Sequence, residues 1–152
     1  MSEEQAVYNA KWLAEKCEKI AERIDEAANK LGWSELERAL TVTRLEPFVL
    51  MEIGARIGHI NEHVAQIVEE VRALGQQRVF SPEEIAEVER RLTSYPGGSA
   101  ITLPVVGRSS AAFLVELGEQ INRRQKALRE AANIMRSMAH GLRHAGDEGE
   151  EQ

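Results

Sequence analysis

A chain of 152 residues is long enough to bury roughly two-thirds of its unfolded surface, and one domain is the default at that size. Charged residues supply 29% and aromatics only 5%; Ala, Glu, Leu, Val and Arg dominate, and all but Val lose little freedom in a helix, so the composition favours helix over sheet and predicts an all-α fold. A net charge of −6 argues against whole-molecule binding to nucleic acid or to an anionic membrane.

The first helix is predicted over 3–31, with Ser2 as its cap and Ala10, Leu13, Cys17, Ile20, Ile24, Ala27 and Leu31 as its inner stripe. Cys17 is the only cysteine, which rules out an internal disulfide and suggests a buried thiol. Gly32 suits the left-handed residue that ends a helix, and Ser34 can start the next one, so the chain is expected to fold back as an antiparallel helical hairpin spanning 3–77. Within it, Thr41 to Pro47 sets β-branched residues before a proline, predicting a break there and a restart with Pro47 in the first turn.

From Val49 to Leu74 the apolar residues Val49, Ile53, Ile57, Ile60, Val64, Ile67, Val71 and Leu74 recur at alternating spacings of three and four. That is one buried face of a long helix, and it demands partners along its whole length. Ser81-Pro82-Glu83-Glu84 is a helix start, with a serine cap, proline at the first position and acids at the positive end of the dipole. The short helix it opens, over 82–93, has the apolar edge Ile85, Val88 and Leu92.

Residues 94–109 are punctuated by proline and glycine and cannot continue a helix, yet they contain Ile101, Leu103, Val105 and Val106. A loop of this length inside a compact domain usually has a task, and docking on a neighbouring subunit is the expected one. The last helix is predicted over 110–144. Its seam is Leu114, Ile121, Leu128, Met135 and Leu142 at a spacing of seven, with Leu117, Ala131 and Met138 three positions on and Arg124 interrupting that second column. The expected organisation is one helical domain over 1–145, followed by an acidic disordered tail over 146–152.

Three constellations carry chemistry. His59-Ile60-Asn61-Glu62-His63 matches the H-x-x-E-H pattern and resembles that of inverted zinc peptidases, which implies zinc on His59 and His63 with Glu62 as base. Gly54 and Gly58, four apart, would admit another backbone close to the long helix, either a bulky neighbour such as Trp12 or Trp33 or a second subunit. Arg123, Arg124, Lys126, Arg129, Arg136 and Arg143 give the last helix a local positive excess, and three of them share a heptad position, a stripe able to follow duplex phosphates or to face the Glu-rich surface of the first or second helix or the chain's own acidic tail. No aromatics are interleaved with it, which disfavours single-strand recognition.

The Gly32-Trp33-Ser34 turn is similar to the hairpin turn of small secreted WXG proteins, with tryptophan and glycine in the reverse order. The layout of a hairpin arm plus further helices is similar to coat subunits of filamentous archaeal viruses, which implies duplex-DNA wrapping; it agrees in layout and composition and shares no motif. Neither resemblance assigns a family.

The reading that follows is a non-enzymatic helical structural protein that self-assembles, or assembles with a related subunit, into a larger complex or filament. Its alternative is a coat or nucleoprotein subunit contacting duplex phosphates through the basic last helix, and a second alternative is a zinc-dependent hydrolase. No cofactor and no small-molecule substrate are inferred. The acidic start and the lack of any run near ~18 apolar residues suggest no signal peptide and no membrane span, hence a cytoplasmic protein or one in a particle assembled there.

Overall fold

The computed structural model describes residues 3–32, 47–77, 79–93 and 110–150, with side chains over 10–32, 54–77, 79–93 and 118–144. Among these residues the chain is all-α: α1 (Glu3–Leu31), α2 (Pro47–Gly75), α3 (Pro82–Thr93) and α4 (Ser110–Glu150), with no strand. The expected break before Pro47 and the whole loop over 94–109, with Ile101, Leu103, Val105 and Val106, lie outside the described residues. At the far end the prediction is corrected: α4 runs to Glu150, so Asp147, Glu148 and Glu150 are helical where a disordered tail was expected. No proline follows Pro104, and the glycines at 146 and 149 cost only about 1 kcal/mol each.

Ser81 caps α3 as its sequence predicts. Its Oγ accepts the Glu84 N–H at 3.4 Å, and its hydroxyl bonds the Glu83 carboxylate at 2.6 Å. That bond holds the Glu83 carboxyl below its ordinary range. Gly75 closes α2 against α3; a Cβ there would stand 3.0 Å from Ile85 Cγ2, so any side chain would oblige Ile85 to shift by a few tenths of an ångström.

The four helices alternate in direction. Arg72 on α2 meets Glu89 on α3 and Gly75 meets Ile85, so this pair is antiparallel. On α4, Arg124 reaches Leu92 and Arg91 reaches Glu130, again antiparallel. Arg23 on α1 pairs with Glu70 on α2. Gln125, Arg136 and Arg143 on α4 meet Ala28, Asp25 and Glu18 on α1. The core is one cluster drawn from all four helices. It contains the predicted stripe of α1 from Leu13 to Leu31, that of α2 from Ile57 to Leu74, and Ile121, Leu128, Ala131, Met135 and Met138 of α4, while Leu142 is partly buried.

One feature departs from the hairpin expectation. α1 does pair with α2, but its most extensive partner is α4, the helix most distant in sequence. The cause is a column of small residues. Ala14, Ala21 and Ala28 are buried on α1 beside its aliphatic stripe, and Ala132 and Ala139 are buried on α4. Alanine at a spacing of seven lets two antiparallel backbones approach toward the lower end of the usual ~8–10 Å helix separation. A larger side chain would prise them apart. Ala21→Leu should therefore destabilise the fold by about 1–3 kcal/mol, read as a lower urea midpoint, whereas Glu22→Leu on the exposed neighbouring position should leave that midpoint in place.

Candidate functional site

The arginine stripe of α4 faces α1. Arg143 pairs with Glu18, with Nη2 donating to Oε2 at 3.0 Å. Arg136 donates to Asp25 at 2.6 Å and to Asn133 at 2.9 Å, and Arg129 donates to Asn29 at 2.9 Å. The three heptad guanidinium groups thus form a ladder down the α1–α4 edge, each on a polar partner from α1. Their side chains remain 45–48% exposed, so each rung contributes little. Together they fix the register.

Arg124 has a different role from the surface contact expected of it. It is fully buried, and its Nη1 donates to the carbonyls of Leu92 and of Arg91, the latter at 3.5 Å. These carbonyls end α3, where no intrahelical donor remains and the helix dipole is negative. The next residue repeats the device. Gln125 Nε2 donates to the Ala28 carbonyl at 2.9 Å in the last turn of α1. Two consecutive residues of α4 therefore cap two parallel helices, and a guanidinium held there cannot reach a phosphate. Arg123 and Lys126 are exposed on α4.

At the H-x-x-E-H segment, His59 and Glu62 are exposed and His63 is half-buried against α1. The charges around His63 are unlike those of a metal centre. Burial lowers its affinity for a proton first, then the nearby Arg23 and Lys30 cations, with Glu26 opposing. Its Nε2 is buried without a hydrogen-bond partner among the described residues. Among the described residues no three His, Cys, Asp or Glu side chains stand where they could hold a metal ion.

Gly58 is exposed, and a Cβ built on it would meet nothing within 4 Å; Gly54 is half-buried. No bulky side chain of the described core leans on Gly58. Trp12, one candidate neighbour, instead borders a groove of about 240 Å³ at the opposite end of α2, with Ile20, Leu74 and Gln77. Lys16 Nζ lies 4.6 Å from its ring centroid, and Trp12 is 44% exposed. Cys17 is fully buried; burial and then Glu18 push its thiol up to about 11, which leaves it protonated and unreactive at neutral pH.

The chain matches no family model, no curated protein and no solved structure. Among the described residues no helix is long and apolar enough to cross a membrane.

Two outcomes follow. Arg124→Ala leaves the last carbonyls of α3 buried and unanswered and should cost about 1–3 kcal/mol, whereas Arg136→Gln and Arg143→Gln should each cost about 0.2–1 kcal/mol, all measured by urea denaturation. His63 is held below the ordinary histidine value of 6.5, so the unfolded chain binds its proton more tightly than the folded one. Stability from this residue is full above that value and is lost as pH falls toward and through the folded one. Unfolding free energies of His63→Gln should accordingly fall less than those of the parent between about pH 7 and pH 5.

Proposed function

We propose that this chain is a non-enzymatic helical building block that associates with copies of itself, or with a related subunit, through the end of the bundle where α2 and α4 extend past the end of α1. The supporting observation is one of level. Gln125 marks where α1 ends against α4, and α4 begins at Ser110, ~22 Å earlier along its axis. His63 lies beside Lys30 near the end of α1, and α2 begins at Pro47, ~24 Å earlier. Among the described helices, α1 ends at Leu31 and α3 at Thr93, short of these segments.

Their sequences are Pro47-Phe48-Val49-Leu50-Met51-Glu52-Ile53 and Ala111-Ala112-Phe113-Leu114-Val115. A helix spreads consecutive apolar residues around its whole circumference, and such a helix seeks cover on every side. The two glycines at 54 and 58 follow directly on α2. Ile101, Leu103, Val105 and Val106 immediately precede α4 and belong to the same proposed contact.

Duplex-phosphate contact remains the weaker reading, because the three heptad arginines have polar partners on α1 and Arg124 is buried. The zinc-hydrolase reading has the cations beside His63 against it.

Light scattering at micromolar concentration should return a mass of at least two chains; a strict monomer with full helicity would remove the proposal. Gly58→Glu puts a side chain into open space and replaces a residue that weakens helices by about 0.5–1 kcal/mol, so the helical signal should persist. The scattering mass should fall. Leu103→Ser should do the same, and an unchanged mass in both variants would overturn the assigned contact.

A further inference from the structure

The chain has four histidines, and they form two pairs, each with a spacing of four: His59 with His63 on α2, and His140 with His144 on α4. We infer that His140 and His144 form a binding site for a borderline divalent transition-metal ion, with Cu(II) the tightest. Residues four apart stand one above the other on a helix face, the relation by which two imidazoles chelate one ion. Here that relation is realised in the side chains. The two rings lie edge to face with centroids 4.6 Å apart. Both residues are exposed, so an incoming ion sheds water without being carried into a core.

The surrounding charges favour the ion. Arg143, beside the pair in sequence, is held by Glu18, and Arg136, one turn earlier, is held by Asp25. Both nearby guanidinium groups are neutralised by carboxylates of α1. One turn beyond His144 on the same helix stands Glu148, the next register position of the 140–144 row. Among the described side chains no third ligand joins the pair, so the site is a two-imidazole chelate with its remaining positions open to water or to a carboxylate. Imidazole suits Cu, Ni and Zn, and affinities in such open sites rise to Cu(II) and fall again at Zn(II). The α2 pair is the internal contrast: it has the same spacing, but His63 is half-buried and faces the cations Arg23 and Lys30.

The test is a Cu(II) titration of the full chain without a histidine tag, followed by calorimetry and by electron paramagnetic resonance. The expected result is one Cu(II) per chain with imidazole-nitrogen hyperfine structure. His140→Gln and His144→Gln should each weaken binding by about tenfold or more, about 1.4 kcal/mol, while His63→Gln leaves it unchanged. Circular dichroism of the His140→Gln/His144→Gln double variant should match the parent, because both positions are exposed. Parent-like copper binding by that double variant would overturn the assignment, and so would loss of binding in His63→Gln. A loss of copper that appears only together with a loss of helicity would overturn it as well.

Discussion

The close antiparallel contact between α1 and α4 is the constraint on which the rest of the structure depends. It joins residues about a hundred positions apart and rests on side chains too small to bury much apolar area individually: Ala14, Ala21, Ala28, Ala132 and Ala139. What alanine supplies is access. With the backbones near one another, the aliphatic stripes on either side of the column interlock with α2 and α3 into one cluster. The polar residues at the edge of the contact then come within bonding range, so Arg129, Arg136 and Arg143 meet Asn29, Asp25 and Glu18. The ladder follows from the seam. Exposed ion pairs of this kind are worth too little to bring two helices together, but they penalise a slip of register that would break them all at once.

The same contact explains the two caps. Because α1 and α3 run parallel, their C-termini come to α4 at one level, and two consecutive residues answer both. Arg124 takes the carbonyls of α3 and Gln125 takes a carbonyl of α1. A buried guanidinium carries a heavy desolvation cost, and what repays it is a set of acceptors that are already at the negative end of a helix dipole and have no donor within their own helix. The charge that interrupts the apolar column of α4 is therefore what lets α3, only 12 residues long, end inside the protein.

Much of this was legible in the sequence, where periodicity and end signals are local. The stripe of α2, the apolar edge of α3, the Ser81 start and the ends at Leu31 and Thr93 all follow from short-range rules, and the helices begin and end there. Partner choice was not legible. An apolar stripe states that it must be covered and does not name its cover, so the short connection from Gly32 pointed to α2 when the larger contact is with α4. The alanine columns were visible as letters, but alanine is also the best helix former, and its seven-residue spacing passes for propensity. For the arginine stripe the sequence left both phosphates and acidic helices open. Only the register of α1 against α4 brings Asp25 and Glu18 opposite it. Arg124 did leave a trace, since it breaks the Leu117, Ala131, Met138 column, and a charge in an apolar column signals a buried acceptor.

The two ends of the bundle differ in chemistry, and the difference bears on what kind of assembly the chain can build. At one end α2 and α4 begin with apolar sequence, Phe48 to Met51 and Ala111 to Val115. At the other, α1 opens with Glu3 and Glu4 while α4 closes with Asp147, Glu148 and Glu150, so both helices carry acidic sequence at this end. A filament grows by joining unlike surfaces, head to tail, and needs the two ends to be complementary. An apolar end does not complement a carboxylate-rich one, because burying those charges without partners costs far more than the apolar contact returns. The surface that does complement an apolar end is another apolar end. For the proposed contact this favours a self-complementary patch, with the same residues contributed by each copy, over a head-to-tail joint.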